Sequence, residues 1–91
     1  MSWKLVISPH AVKQLAKLDK PTAKLITSWL RKNISQCENP REKGKALSAN
    51  LAGAWRYRIG NYRVLCEIKD GELVVLVFEI AHRSKVYRQR H

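Results

Sequence analysis

Three arginines fall within the nine residues 55–63 of the stretch WRYRIGNYRVLC: Arg56, Arg58 and Arg63. Guanidinium groups bind phosphate oxygens through charge-assisted, often bidentate hydrogen bonds, so such a cluster can hold a phosphate chain. The later segment AHRSKVYRQRH adds His82 and Tyr87. Imidazole is the side chain that titrates near neutral pH, and a tyrosine offers a ring for stacking a base and a hydroxyl for a proton or a phosphate oxygen. Together these residues suit gripping a phosphodiester and moving a proton beside it. The competing reading is a basic strand whose long side chains simply splay into water.

Strand geometry separates the two readings. If Gly60-Asn61 is a two-residue turn, Ile59 lies opposite Tyr62, Arg58 opposite Arg63 and Tyr57 opposite Val64. Side chains alternate along a strand. Arg56, Arg58 and Arg63 then share one face, and Trp55, Tyr57, Ile59, Tyr62, Val64 and Cys66 share the other. Like charges directly opposite destabilise a sheet by up to roughly 1 kcal/mol. A bound phosphate would offset that repulsion. If Asp70-Gly71 is also a two-residue turn, Val75 and Val77 join the apolar face, while Phe78 and Ile80 join the arginines, as does His82 if the strand runs on.

Composition agrees with a polyanionic partner. The 91 residues carry 18 Lys and Arg against 7 Asp and Glu, a net charge of +11. RNA, DNA, an anionic membrane surface or an acidic protein could each answer that charge. The length fits one compact domain, residues 1–91, and the 45% hydrophobic content suffices for a core. No apolar run is long enough for a signal peptide or a membrane span, which points to the cytoplasm and away from a membrane partner. Cys37 and Cys66 are expected to be free thiols. His10, His82 and His91 have no metal-ligand spacing, so neither a metal nor another cofactor is expected.

The elements that would position the arginines follow from pattern. Residues 3–7 read as an edge strand, and Ser8-Pro9 is a helix-starting pair. Val12, Leu15, Ala16 and Leu18 recur at helical spacing. Asp19-Lys20-Pro21 closes that helix and opens a second, whose apolar stripe includes Ala23, Ile26, Leu30 and Ile34. CENPREKGK, residues 37–45, reads as an exposed loop, and residues 45–51 as a short helical turn or an irregular strand. Residues 55–59, 62–68 and 73–80 then form a three-stranded antiparallel meander. The class is α+β, with an N-terminal edge strand, a helical hairpin, the meander and a short C-terminal helix. Trp3, Trp29 and Trp55 are expected to serve packing.

The combination of KQLAKLDK, GKAL, WRYRIGNYRV, ELVVLVFEIAHR and VY resembles the RelE/ParE toxin superfamily, the RelE branch more than the ParE branch, over nearly the whole chain. That resemblance implies a microbial RNase-like fold and the toxin of a type II toxin–antitoxin system. It implies an endoribonuclease that cuts mRNA in the ribosomal A site, the 2′-hydroxyl attacking the adjacent phosphate, and so inhibits translation. It also implies a heteromeric complex with a cognate antitoxin. Carried onto this sequence, Arg63 stabilises the transition state, Arg83 and Tyr87 act on the substrate, and Arg56, Arg58 and Lys45 hold phosphates. Arg56 and Arg58 stand where RelE carries lysines, one of them proposed as a general base, and arginine is a poor base. Either His82, acting with Tyr87, takes the proton-transfer role, or chemistry rests on positioning and electrostatics; the residue types favour His82. The alternative function is that of a ParE-like inhibitor of DNA gyrase without nuclease activity.

Overall fold

A computed structural model describes residues 3–47 and 53–82. The chain runs β1 (Lys4–Ile7), α1 (Pro9–Ala16), α2 (Lys20–Asn33), β2 (Lys45–Ala46), β3 (Trp55–Ile59), β4 (Tyr62–Lys69) and β5 (Val74–His82). The five strands form one sheet in the order β1-β5-β4-β3-β2. The expected meander is its centre. β1 is an edge strand, as the sequence predicts, and lies parallel to β5. Of residues 45–51, Lys45–Ala46 form the two-residue strand β2, antiparallel to β3 on the other edge, and 48–51 lie outside the described residues. The expected C-terminal helix lies outside the described residues.

Both helices start where the sequence places their caps. Ser8 Oγ accepts the Ala11 N–H at 3.1 Å with Pro9 in the first turn. Asp19 accepts the Thr22 N–H at 3.1 Å. These contacts satisfy amide groups that the first helical turn leaves without partners. Ala11 from α1 and Ile26 and Leu30 from α2 pack, with Ile34 just beyond it, on Tyr57, Ile59, Val64, Cys66, Val75 and Val77, closing one sheet face from water. Cys37 and Cys66 are free, and burial pushes the Cys66 thiol pKa up, keeping it protonated.

The first hairpin has the expected register: Ile59 opposite Tyr62, Arg58 opposite Arg63, Tyr57 opposite Val64. Gly60 has φ +59° while Asn61 does not turn left-handed, the pattern of a type II′ turn. The second hairpin departs from expectation. Its loop holds four residues, a 3-10 turn Asp70–Glu72 followed by Leu73 at φ 55°, and pairing resumes at Lys69 opposite Val74. Leu73 packs against the core, and Arg41 grips Asp70 through two bonds of 2.8 Å. Both contacts favour the longer loop.

Two extra loop residues preserve the alternation, so Val75 and Val77 stay on the apolar face. A β-bulge then reverses it. Cys66 lies opposite Val77 but Leu65 lies opposite Glu79, leaving Phe78 as the additional residue. From there Ile80 and His82 fall on the helix-covered face, and Glu79 and Ala81 on the arginine face. Without the bulge Glu79 would point into the core, where a carboxylate is costly, and Ile80 would point out. The bulge buries Ile80 instead, and Gln14 Oε1 accepts the Ile80 N–H at 2.6 Å where β1 no longer covers β5.

Candidate nucleic-acid interface

On the sheet face away from the helices, two rows of side chains cross the strands. One runs Lys45, Arg56, Leu65, Glu79; the other runs Arg58, Arg63, Ala81. Four cations thus gather on β2, β3 and β4, with no acid between them in either row. Their exposure is graded: Lys45 and Arg58 are exposed, Arg56 is half-buried, and Arg63 is only 6% exposed. Arg58 and Arg63 are direct cross-strand partners, a like-charge pairing that opposes folding. The Nε of Arg56 is buried with no hydrogen-bond acceptor among the described residues. Buried donors are costly to leave unmet, and an incoming phosphate oxygen would meet this one.

His82 does not join this group, contrary to the sequence expectation. The Phe78 bulge turns it to the other face, where it pairs with Tyr62 and their rings meet edge to face at 5.2 Å. Arg83 and Tyr87 lie outside the described residues. Of the seven expected site residues, the structure therefore brings together Lys45, Arg56, Arg58 and Arg63.

The edge of β3 adds features that residue spacing did not reveal. Leu47 N–H donates to Ala54 O at 3.0 Å, so Ala54, Arg56 and Arg58 turn their main-chain groups toward β2. β2 pairs only as far as Lys45 opposite Arg56, because Gly44 at φ +82° leaves the strand conformation. The Arg58 N–H and C=O beyond that point have no strand partner among the described residues. A pocket of about 220 Å³ opens there, lined by Trp29, Gly44, Lys45, Arg56 and Arg58. Gly44 is required in its floor: a Cβ would strike the Arg56 carbonyl oxygen and lie 2.7 Å from Trp55 Nε1. The GK pair at the start of β2 was the available signal, but its meaning depends on β3 lying against it.

The loop feeding β2 is exposed at most positions, as expected, yet it is held at several points. Trp55 Nε1 donates to Lys43 O at 2.7 Å, Tyr57 Oη donates to the carbonyl of buried Pro40, and Arg41 sits 6.0 Å over the Trp55 ring. Burial pushes the Tyr57 hydroxyl pKa up, so it remains a proton donor.

Known proteins share this fold. The family described as "ParE toxin of type II toxin-antitoxin system, parDE" matches residues 5–87. Toxin RelE of Mycobacterium tuberculosis is 31% identical over 86 residues, 94% of this chain and 87% of that toxin. The chain belongs to the RelE/ParE superfamily of type II toxin–antitoxin toxins. Within it, the toxin is RelE-like. Toxin RelG of the same organism is 38% identical over 50 residues, 55% of this chain and 58% of RelG, so that match spans little more than half of RelG. The RelBE2 toxin–antitoxin complex of M. tuberculosis superposes with a TM-score of 0.82 at 26% identity, covering 92% of this chain and 94% of the matched one. The isolated E. coli RelE toxin shares the fold at a TM-score of 0.69 and 23% identity, over 96% and 93% of the two chains. The family match takes in every expected site residue from Lys45 to Tyr87. Among the described residues, no helix of the toxin is long and apolar enough to cross a membrane.

Proposed function

We propose that this toxin is a ribosome-dependent endoribonuclease that cuts mRNA in the A site and is held in check by a cognate antitoxin. The observation that carries the reading is Arg58 standing opposite Arg63 on the face away from α1 and α2, with Arg56 and Lys45 in the next row. A phosphodiester would offset the repulsion between the paired arginines. The full-length likeness to a RelE toxin supports the nuclease branch, and the toxin–antitoxin complexes among its structural relatives support the antitoxin. The site of action is then the cytoplasm, where translating ribosomes are.

In the proposed reaction the 2′-oxygen of the substrate forms a bond to phosphorus as the bond from phosphorus to the 5′-oxygen breaks. This leaves a 2′,3′-cyclic phosphate and a 5′-hydroxyl. Charge accumulates on the nonbridging oxygens of the phosphorane, and Arg63, already desolvated, stabilises it. Arg56, Arg58 and Lys45 hold the phosphate chain in line. Of the two routes open from the sequence, the placement of His82 beside Tyr62 favours positioning and charge over proton transfer by His82. The 2′-hydroxyl proton passes to solvent, and the roles left for Tyr87 and Arg83 are to protonate the leaving 5′-oxygen and to bind phosphate; His82 packs on Tyr62 at the end of β5, from which both follow in sequence.

Primer extension on a defined mRNA, with and without ribosomes programmed in the A site, tests this reading. Wild type should cut only on the ribosome, and Arg63→Ala should lose about a hundredfold in rate or more. His82→Ala should lose far less than Arg63→Ala. Toxicity in cells without cleavage, unaffected by Arg63→Ala, would reject the nuclease in favour of a gyrase inhibitor.

A further inference from the structure

The toxin has three tryptophans, and two use their indole N–H on the protein: Trp3 on Glu38 O at 3.3 Å and Trp55 on Lys43 O at 2.7 Å. Trp29 is different. Its N–H has no protein acceptor among the described residues, its ring is half-buried and leans at 50° against Tyr57, and it lines the pocket at the β3 edge. Packing alone, the role expected from sequence, does not account for an indole held at the mouth of a cationic pocket.

The same pocket offers three kinds of contact a nucleotide uses. Trp29 supplies an aromatic surface, and stacking on such a surface is favourable for any base. Lys45, Arg56 and Arg58 supply cations, and the Arg56 Nε awaits an acceptor. The outward main-chain N–H and C=O of Arg58 present a donor beside an acceptor, which a base edge can pair with as a neighbouring strand would. At about 220 Å³ the pocket holds one base but not a folded RNA element. An acidic peptide would answer the cations but would leave the aromatic surface unused.

We propose that the pocket between α2 and the open edge of β3 is a nucleotide subsite of single-stranded RNA, in which a base stacks on Trp29 while Lys45, Arg56 and Arg58 hold its phosphates. The proposal deepens the nuclease reading and rests on it for the identity of the polymer. Trp29 and Lys45 are positioning residues: they fix where the strand lies before it reaches Arg63. A base clamped at the sheet edge sets the distance from that nucleotide to the scissile phosphate, which makes Trp29 a determinant of where the cut falls.

The indole N–H signals of the intact toxin in an NMR titration provide the test, with Trp29→Phe and Trp55→Phe assigning them by loss. The probe is a 2′-O-methyl trinucleotide, which cannot be cleaved, and the control is the same chain with its bases removed. The Trp29 signal should move with the trinucleotide and not with the abasic chain, while the Trp3 and Trp55 signals stay in place. Trp29→Leu should weaken the trinucleotide about tenfold and leave the abasic chain unchanged; Trp29→Phe should restore most of the affinity. Movement with the abasic chain alone, with an acidic peptide alone, or with nothing overturns the subsite. The two readings fail separately. Ribosomal cleavage with a motionless Trp29 signal removes the subsite and keeps the nuclease; a moving signal without cleavage does the reverse.

Discussion

The two faces of the sheet are built on opposite terms. Beneath α1 and α2, Tyr57, Val64, Cys66, Val75 and Val77 are fully enclosed by Ile26 and Leu30. On the other face, four cations on three adjacent strands include a direct arginine pair. Burial explains the first face; on the second, Leu65 and Ala81 are buried too, but charge is set against charge between Arg58 and Arg63. Among the described residues, α1 and α2 pack on the first face, and the second gathers the cations suited to a polyanion. Substitutions on the two faces should therefore separate stability from activity.

The largest expected effect is on the enclosed face. Leu30→Ala removes a fully buried side chain and should cost about 2–5 kcal/mol in denaturant unfolding, with cleavage per folded molecule unchanged. A loss of activity beyond the loss of folded protein would break the division between faces.

Gly44→Ala comes next and touches both terms. The added methyl must displace the Arg56 carbonyl and the Trp55 ring while a non-glycine residue is held at positive φ. These costs together come to about 2–4 kcal/mol by thermal or denaturant unfolding. Because the same glycine lines the pocket, RNA binding should fall further than stability predicts. Arg58→Ala should act in the opposite direction on stability. Removing one partner of the Arg58–Arg63 pair should leave the unfolding midpoint unchanged or raise stability by up to about 1 kcal/mol, while cleavage declines. Destabilisation on that scale would mean the arginines serve the fold after all.

How much of this is legible in the sequence differs between the two hairpins. Around Gly60-Asn61 the turn residues fix the register locally, so the arginine face follows from residue spacing alone. The β4–β5 hairpin does not follow in that way. Its four-residue loop depends on Leu73 reaching the core and on Arg41, 29 residues earlier, holding Asp70. Its bulge answers a conflict between Glu79 and Ile80 that exists only once α1 covers the sheet. For that reason alone spacing puts His82 on the wrong face, since one inserted residue exchanges the faces of everything after it. The parallel pairing of β1 with β5 and the early end of β2 are likewise contacts between distant segments. They decide that a pocket exists beside Trp29, and nothing in the spacing around Trp29 encodes it.

The smallest expected effect concerns the strap between the β2 loop and the second hairpin. Arg41 donates two hydrogen bonds of 2.8 Å to the Asp70 carboxylate, and these bonds hold its pKa below the ordinary 3.8. A carboxyl group whose pKa is lowered by folding binds fewer protons folded than unfolded, so its contribution is complete above the unfolded value. That contribution should fade as the pH falls from about 4 through the lower folded value. Both partners are largely exposed, so the effect is confined to a modest change in the slope of stability against pH. Denaturant midpoints of wild type and Asp70→Asn should differ at pH 6 and converge near pH 2. Equal separation at both values would show that the strap works through the shape of the turn, and that the Arg41–Asp70 charge pair contributes nothing to joining the β2 loop to the hairpin.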